Sequence, residues 1–174
     1  MKNNFILAIS GNDIFSGGGL HADSATYTVN RLHGFVAVTC LTAMTKQGFE
    51  VLPVDTTVFA QQLDSLKNVP FSAVKLGLLP NVELADLALD FVKAHVDIPV
   101  VLDPVLVCKE NHDVEVSALR DELLKFFPYA SIITPNLPEA ELLVQKELRT
   151  VEDVKEAART LYSLGAKTVV IKGG

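Results

Sequence analysis

Asp103, Asn136, Glu139 and Lys172 are the residues of this 174-residue chain whose types and settings could do chemistry together. Asp103 follows the apolar run Val100-Val101-Leu102 and precedes Pro104. That pattern reads as a buried parallel strand stopping at its carboxyl end. In open α/β sheets ligands bind outside such ends, so a carboxylate there meets solvent, a metal or a phosphate; it can also simply shape the turn before Pro104. Asn136 and Glu139 open a helix just after the run Ala130–Thr134 and Pro135. Their spacing is also that of a capping box, so capping and ligand binding both stay open. Lys172 closes the apolar run Thr168–Ile171. Its ammonium can bind a phosphate as a point charge or be solvated. Two carboxylates and an amide on one rim would suit a hydrated Mg²⁺, which takes few protein oxygens and keeps waters.

Two further stretches carry possible chemistry. Cys108 stands beside Lys109, and a thiol next to a lysine in an exposed loop can add reversibly to an aldehyde. By itself a cysteine is more often a small apolar residue. Ser16-Gly17-Gly18-Gly19 lies between a strand and a helix, where glycines let a ligand approach the backbone. Its spacing is neither GxGxxG nor a P-loop. The turn reading of the same glycines stays open. Thr150 and Asp153 repeat the capping-box spacing and read as a cap only.

The elements that must position these groups alternate along the chain. Strands are expected at Phe5–Ser10, Gly34–Leu41, Ser72–Gly77, Pro99–Asp103, Ala130–Thr134 and Thr168–Ile171. Helices are expected at Leu20–Tyr27, Val58–Lys67, Leu84–Ala94, Leu119–Phe126, Asn136–Leu143 and from Thr150 to about Leu164. Met44–Gly48 reads as a polar loop. Alternation of this kind predicts an α/β fold with a mostly parallel sheet and helices on both faces. No linker, repeat or low-complexity tract divides it, so 1–174 is one unit. The stop at Gly173-Gly174, right after an apolar run, suggests a larger fold cut short.

Composition bounds the partners. Hydrophobic residues make up 49% and the net charge is −6, so a large core is affordable and the charge argues against nucleic acid or an anionic membrane as the main partner. No stretch approaches membrane-spanning length, and the N-terminal run is too short for a signal peptide. Cys40 and Cys108 lie far apart, which fits a reducing cytoplasm without a structural disulfide. The four histidines show no metal-type spacing.

The motifs Gly11-Asn12-Asp13, Ser16-Gly17-Gly18-Gly19-Leu20-His21-Ala22-Asp23, Lys75-Leu76-Gly77-Leu78-Leu79, Asp103-Pro104-Val105, Thr134-Pro135-Asn136-Leu137-Pro138-Glu139 and Lys172-Gly173-Gly174 occur in order across nearly the whole chain. Together they resemble the hydroxymethylpyrimidine kinase and pyridoxal kinase branch of the ribokinase-like superfamily. The resemblance implies a three-layer ribokinase-like fold, here its N-terminal portion with the C-terminal part missing. It implies an ATP- and Mg²⁺-dependent cytoplasmic kinase acting on the hydroxymethyl group of a heteroaromatic ring, often as a homodimer. Asp103, Asn136, Glu139 and Lys172 would bind ATP phosphates, with Asp103 and Glu139 on the metal. The ring would lie near Gly11, Asp13, Gly18, Met44, Leu78 and Val105. Hydroxymethylpyrimidine kinases tend to place Gln or Glu where this chain has Met44, which cannot hydrogen-bond a pyrimidine. Val107-Cys108-Lys109 resembles Gram-positive pyridoxal kinases, in which a lid cysteine could capture the aldehyde. Pyridoxal or pyridoxine is therefore the expected substrate, with hydroxymethylpyrimidine or its phosphate the alternative, and a non-catalytic ligand-binding remnant of the fold a third. The family's anion hole and catalytic base lie beyond Lys-Gly-Gly, so the 174 residues alone are expected to give background turnover.

Overall fold

The first strand, β1 (Phe5–Asn12), serves two cores at once. Its alternate residues point to opposite faces. Leu7 and Ile9 enter the main core with Val74, Leu76, Leu102 and Ile133. Ala8 enters a second core, packed with Leu20 and Tyr27. The computed structural model describes residues 4–106 and 113–173, without the side chains of 113–115.

After β1 come α1 (Gly19–Val29), β2 (His33–Thr45), β3 (Gly48–Pro53), α2 (Thr56–Leu66), β4 (Ala73–Leu76) and α3 (Val82–Ala94). Then follow β5 (Val100–Leu102), α4 (Asp113–Leu124), β6 (Ile132–Ile133), α5 (Leu137–Val144) and α6 (Val151–Ser163). The sheet order is β3-β2-β1-β4-β5-β6. The strands β2, β1, β4, β5 and β6 run parallel. Phe59 of α2, Leu89 of α3 and Leu123 of α4 fill the main core, while α1 covers the opposite face through Leu20 and Tyr27. The expected α/β sheet with helices on both faces is what forms.

The expected loop at Met44–Gly48 does not form. Strand β2 runs on to Thr45, and β3 returns antiparallel to it, pairing Met44 with Phe49 and Thr45 with Gly48. The turn is held by the Thr45 hydroxyl, which donates to Glu50 at 2.7 Å and accepts the Gln47 N–H at 3.1 Å. Gly48 supplies φ +115°, a conformation that favours glycine. Polar Lys46-Gln47 concealed a hairpin because its turn chemistry lies in Thr45 and Gly48 rather than in Asn-Gly. The segment Thr168–Ile171 does not form a continuous strand. It runs beside β6 through isolated parallel bridges, Ile133 to Val169 and Asn136 to Lys172. Helix α4 starts earlier than Leu119 and stops at Leu124.

Leu76 is fully buried in the main core while Val36 on β2 is 42% exposed. Leu76→Ala should cost about 2–5 kcal/mol and Val36→Ala no more than about 0.5 kcal/mol in urea unfolding. Equal losses would place the core elsewhere.

Candidate functional site

Parallel pairing puts the carboxyl ends of β1, β4, β5 and β6 on one edge of the sheet. The chain leaves β1 toward β2 and β3, then returns to add β4 on the other side of β1. Such a reversal opens a crevice at the strand tips.

The β5–β6 side of this edge gathers the charged groups. Asp103 follows β5, and its Oδ1 accepts from Lys172 Nζ at 2.8 Å and from the Thr134 hydroxyl at 3.2 Å. Lys172 is brought there from far along the chain because its backbone N–H bonds Pro135 O at 2.8 Å. Asn136 caps α5: its Oδ1 accepts the Glu139 N–H at 2.8 Å, and Glu139 Oε2 accepts the Asn136 N–H at 2.7 Å. The capping box is therefore real. It also fixes Glu139, which is only 6% exposed, beside the Asp103 and Lys172 charges. Burial pushes the Glu139 carboxyl up. The Asn136 N–H opposes the rise, Asp103 adds to it, and Lys172 and the Leu106 N–H oppose it. The four residues expected to act together thus share one rim.

The Lys172–Asp103 pair is partly exposed, at 45% and 26% of the two side chains. Exposed pairs contribute at most about 1 kcal/mol to stability. Stability alone is a weak reason for these charges to stand at a strand tip.

The β1–β4 side is built from backbone and apolar groups together with the Asp13 carboxylate and the Thr42 hydroxyl. Gly11 is buried, and a Cβ there would lie 2.5 Å from Cys40 Sγ and 3.4 Å from Leu78 Cδ2, so Leu78 and Gly11 are neighbours. Asp13 shapes the glycine loop: its Oδ1 accepts the Phe15 N–H at 3.0 Å, and its Oδ2 accepts the N–H groups of Gly17 at 3.0 Å and Gly18 at 3.1 Å. Asp13 and Gly18 are thereby joined. The Thr42 hydroxyl accepts the Ile14 N–H at 2.9 Å, tying this loop to β2. Met44, two residues on and on the same face as Thr42, is 60% exposed. Val105 belongs to the Asp103 turn, its N–H bonding Asp103 O at 2.8 Å. Cys108, with Val107 and Lys109, lies outside the described residues.

Sequence reasoning gave no role to Thr134, Thr39 or the Asp23–Lys75 pair. Thr134 and Lys75 stand inside recognised motifs, but only the sheet register shows their partners. The Thr39 hydroxyl donates to Leu78 O at 2.6 Å, a contact across the sheet edge that no local spacing reveals.

Among the described residues no three His, Cys, Asp or Glu side chains form an all-protein metal cage. Two carboxylates still fit Mg²⁺, which is commonly held by one or two acids plus substrate phosphates and water. No helix among the described residues is long and apolar enough to cross a membrane.

A family model described as phosphomethylpyrimidine kinase matches residues 13–174. The chain is 38% identical to the pyridoxine kinase of Bacillus subtilis, over 97% of this chain and 64% of that protein. It is 36% identical to the hydroxymethylpyrimidine/phosphomethylpyrimidine kinase of Aquifex aeolicus, over 97% of this chain and 67% of that one. The pyridoxal kinase of Staphylococcus aureus, solved with AMP-PCP and pyridoxal, superposes with TM-score 0.89 at 31% identity, covering all of this chain and 64% of that one. The chain thus spans about two thirds of the length of these relatives.

Two outcomes follow from the α5 start. Asn136→Ala should cost about 0.5–2 kcal/mol in urea unfolding through the lost cap. A carboxyl raised by folding binds its proton more tightly when folded. Its stabilisation is full below the unfolded carboxyl range and is lost as pH rises through the folded pKa. Glu139→Gln keeps the capping geometry and removes that loss. Urea midpoints measured from pH 4 to 8 should therefore fall less with rising pH in E139Q than in the parent; parallel curves would contradict the burial of the charge.

Proposed function

Because this chain belongs to the phosphomethylpyrimidine kinase family, we propose that the full protein transfers the γ-phosphoryl group of ATP to the hydroxymethyl group of pyridoxal or pyridoxine. The observation that carries the proposal is the meeting of Asp103, Glu139 and Lys172 at one rim. Phosphoryl transfer needs little covalent help from a protein and depends on positioning and charge. Lys172 would bind the phosphates as a point charge, releasing Asp103 from its ion pair. Asp103 and Glu139 would hold Mg²⁺, partly through water, and Asn136 would orient Glu139 through the capping box. Mg²⁺, when bound, would neutralise charge on the phosphate oxygens. None of these residues is assigned as the base.

The ring would lie across the β1–β4 side, against Gly11 and Leu78, with Asp13 and Gly18 forming the loop, Met44 the hairpin wall and Val105 the far wall. Met44 supports a pyridoxal-type substrate because a thioether offers a pyrimidine only a weak acceptor and no donor. The S. aureus kinase solved with pyridoxal and AMP-PCP supports the same reading. Cys108 remains the proposed lid thiol. A cytoplasmic location fits the free, buried Cys40. Pairing of two copies fits the exposed apolar Leu41, Phe49 and Leu52 on the hairpin.

The test is kinetic. With full-length protein, kcat/KM for pyridoxal should exceed that for hydroxymethylpyrimidine, and Met44→Gln should move the ratio toward the pyrimidine by about tenfold, one hydrogen bond's worth. The 174 residues by themselves should give background turnover. A parent enzyme that prefers the pyrimidine would overturn the substrate assignment.

A further inference from the structure

The side of α1 that faces the sheet presents Leu20, Asp23 and Tyr27, and the middle of this stripe is a carboxylate rather than an apolar side chain. Asp23 Oδ2 accepts from Lys75 Nζ at 2.9 Å, with the two side chains only 15% and 21% exposed. Lys75 stands on β4 opposite Ala8 of β1, so the pair runs from the helix to the strand beyond β1. A Cβ on Gly77 would lie 2.9 Å from Lys75 Nζ and 2.2 Å from Ser10 Oγ, so the lysine runs up β4 toward the crevice and ends beside Gly77. One helical turn before Asp23, Gly19 has φ +57° and sits so close to β1 that a Cβ would be 2.3 Å from Gly11 O. The start of α1 is thus seated on the β1 tip at one point and fastened to β4 at the next.

A largely buried ion pair is seldom worth more than apolar residues of the same volume, so its presence points to a geometric task. We propose that Asp23 and Lys75 are positioning residues that hold the first turn of α1, and with it the loop Ser16–Gly19, in register over the β1–β4 crevice. The reading of that crevice as the substrate side rests on the proposed function. The ion pair itself does not touch the phosphate-binding rim at Asp103 and Lys172. Losing it should loosen one side of the site and leave the other intact.

The experiment uses full-length protein and the variants Asp23→Asn, Lys75→Met, their combination, and Lys75→Arg. Hydrogen exchange is followed by mass spectrometry in residues 14–20 and, as reference, in α3. Binding of pyridoxal and of Mg²⁺ with a non-hydrolysable ATP analogue is followed by calorimetry. Each single variant should speed exchange in 14–20 about tenfold and weaken pyridoxal by a similar factor, with the double variant no worse than the worse single. Exchange in α3 and nucleotide affinity should stay within about twofold, and Lys75→Arg should restore most of the loss. Exchange that rises equally in α3, or does not change in 14–20, would overturn the positioning role. A parent protein that binds no pyridoxal would overturn the functional reading alone, because the exchange comparison still decides whether the pair positions the loop.

Discussion

Parallel strand pairing decides which distant side chains of this molecule meet. It places the carboxyl ends of β1, β4, β5 and β6 on one edge, whatever the sequence distance between them. Asp103 and Lys172 are 69 residues apart, yet register and one backbone bond to Pro135 bring their charges to 2.8 Å. The same register delivers Gly11 and Leu78 to the neighbouring side of that edge.

The edge divides the work between two kinds of surface. Toward β5 and β6 it is charged: an acid, an amine, and a second acid held by a helix cap. Toward β1 and β4 it is glycine backbone and the apolar Leu78, with Asp13 accepting the Gly17 and Gly18 N–H groups. Under the proposed function, a polyanion with its cation would sit on the first surface and a flat ring on the second. Glu139 shows how local and tertiary demands coincide. Its carboxylate completes a cap, which fixes the side chain, while burial near Asp103 raises the cost of leaving its charge without a cation.

Much of this was legible in the sequence because strong local signals and the fold agreed. Apolar runs ended by Asp-Pro and by Thr-Pro-Asn mark strand tips, and all four expected rim residues converge. What stayed hidden was set by contacts between distant elements. The hairpin of β2 and β3 has a turn of Lys46 and Gln47 stabilised by Thr45 and Gly48, which carries no Asn-Gly signal. The pairing of Asp23 with Lys75 needs the neighbourhood of β1 and β4, which no spacing supplies. Thr168–Ile171 has the composition of a strand, but only isolated bridges join it to its neighbour.

On the proposed function the charges at the β5–β6 tips form a magnesium–nucleotide site. Calorimetric titration of full-length protein with a non-hydrolysable ATP analogue, with and without Mg²⁺, would read that site out. Binding should depend on Mg²⁺ and weaken roughly tenfold or more in Asp103→Ala and in Lys172→Ala, as expected for losing a charge-assisted contact, while the urea midpoints barely move. Binding that ignores Mg²⁺ and survives both substitutions would contradict it.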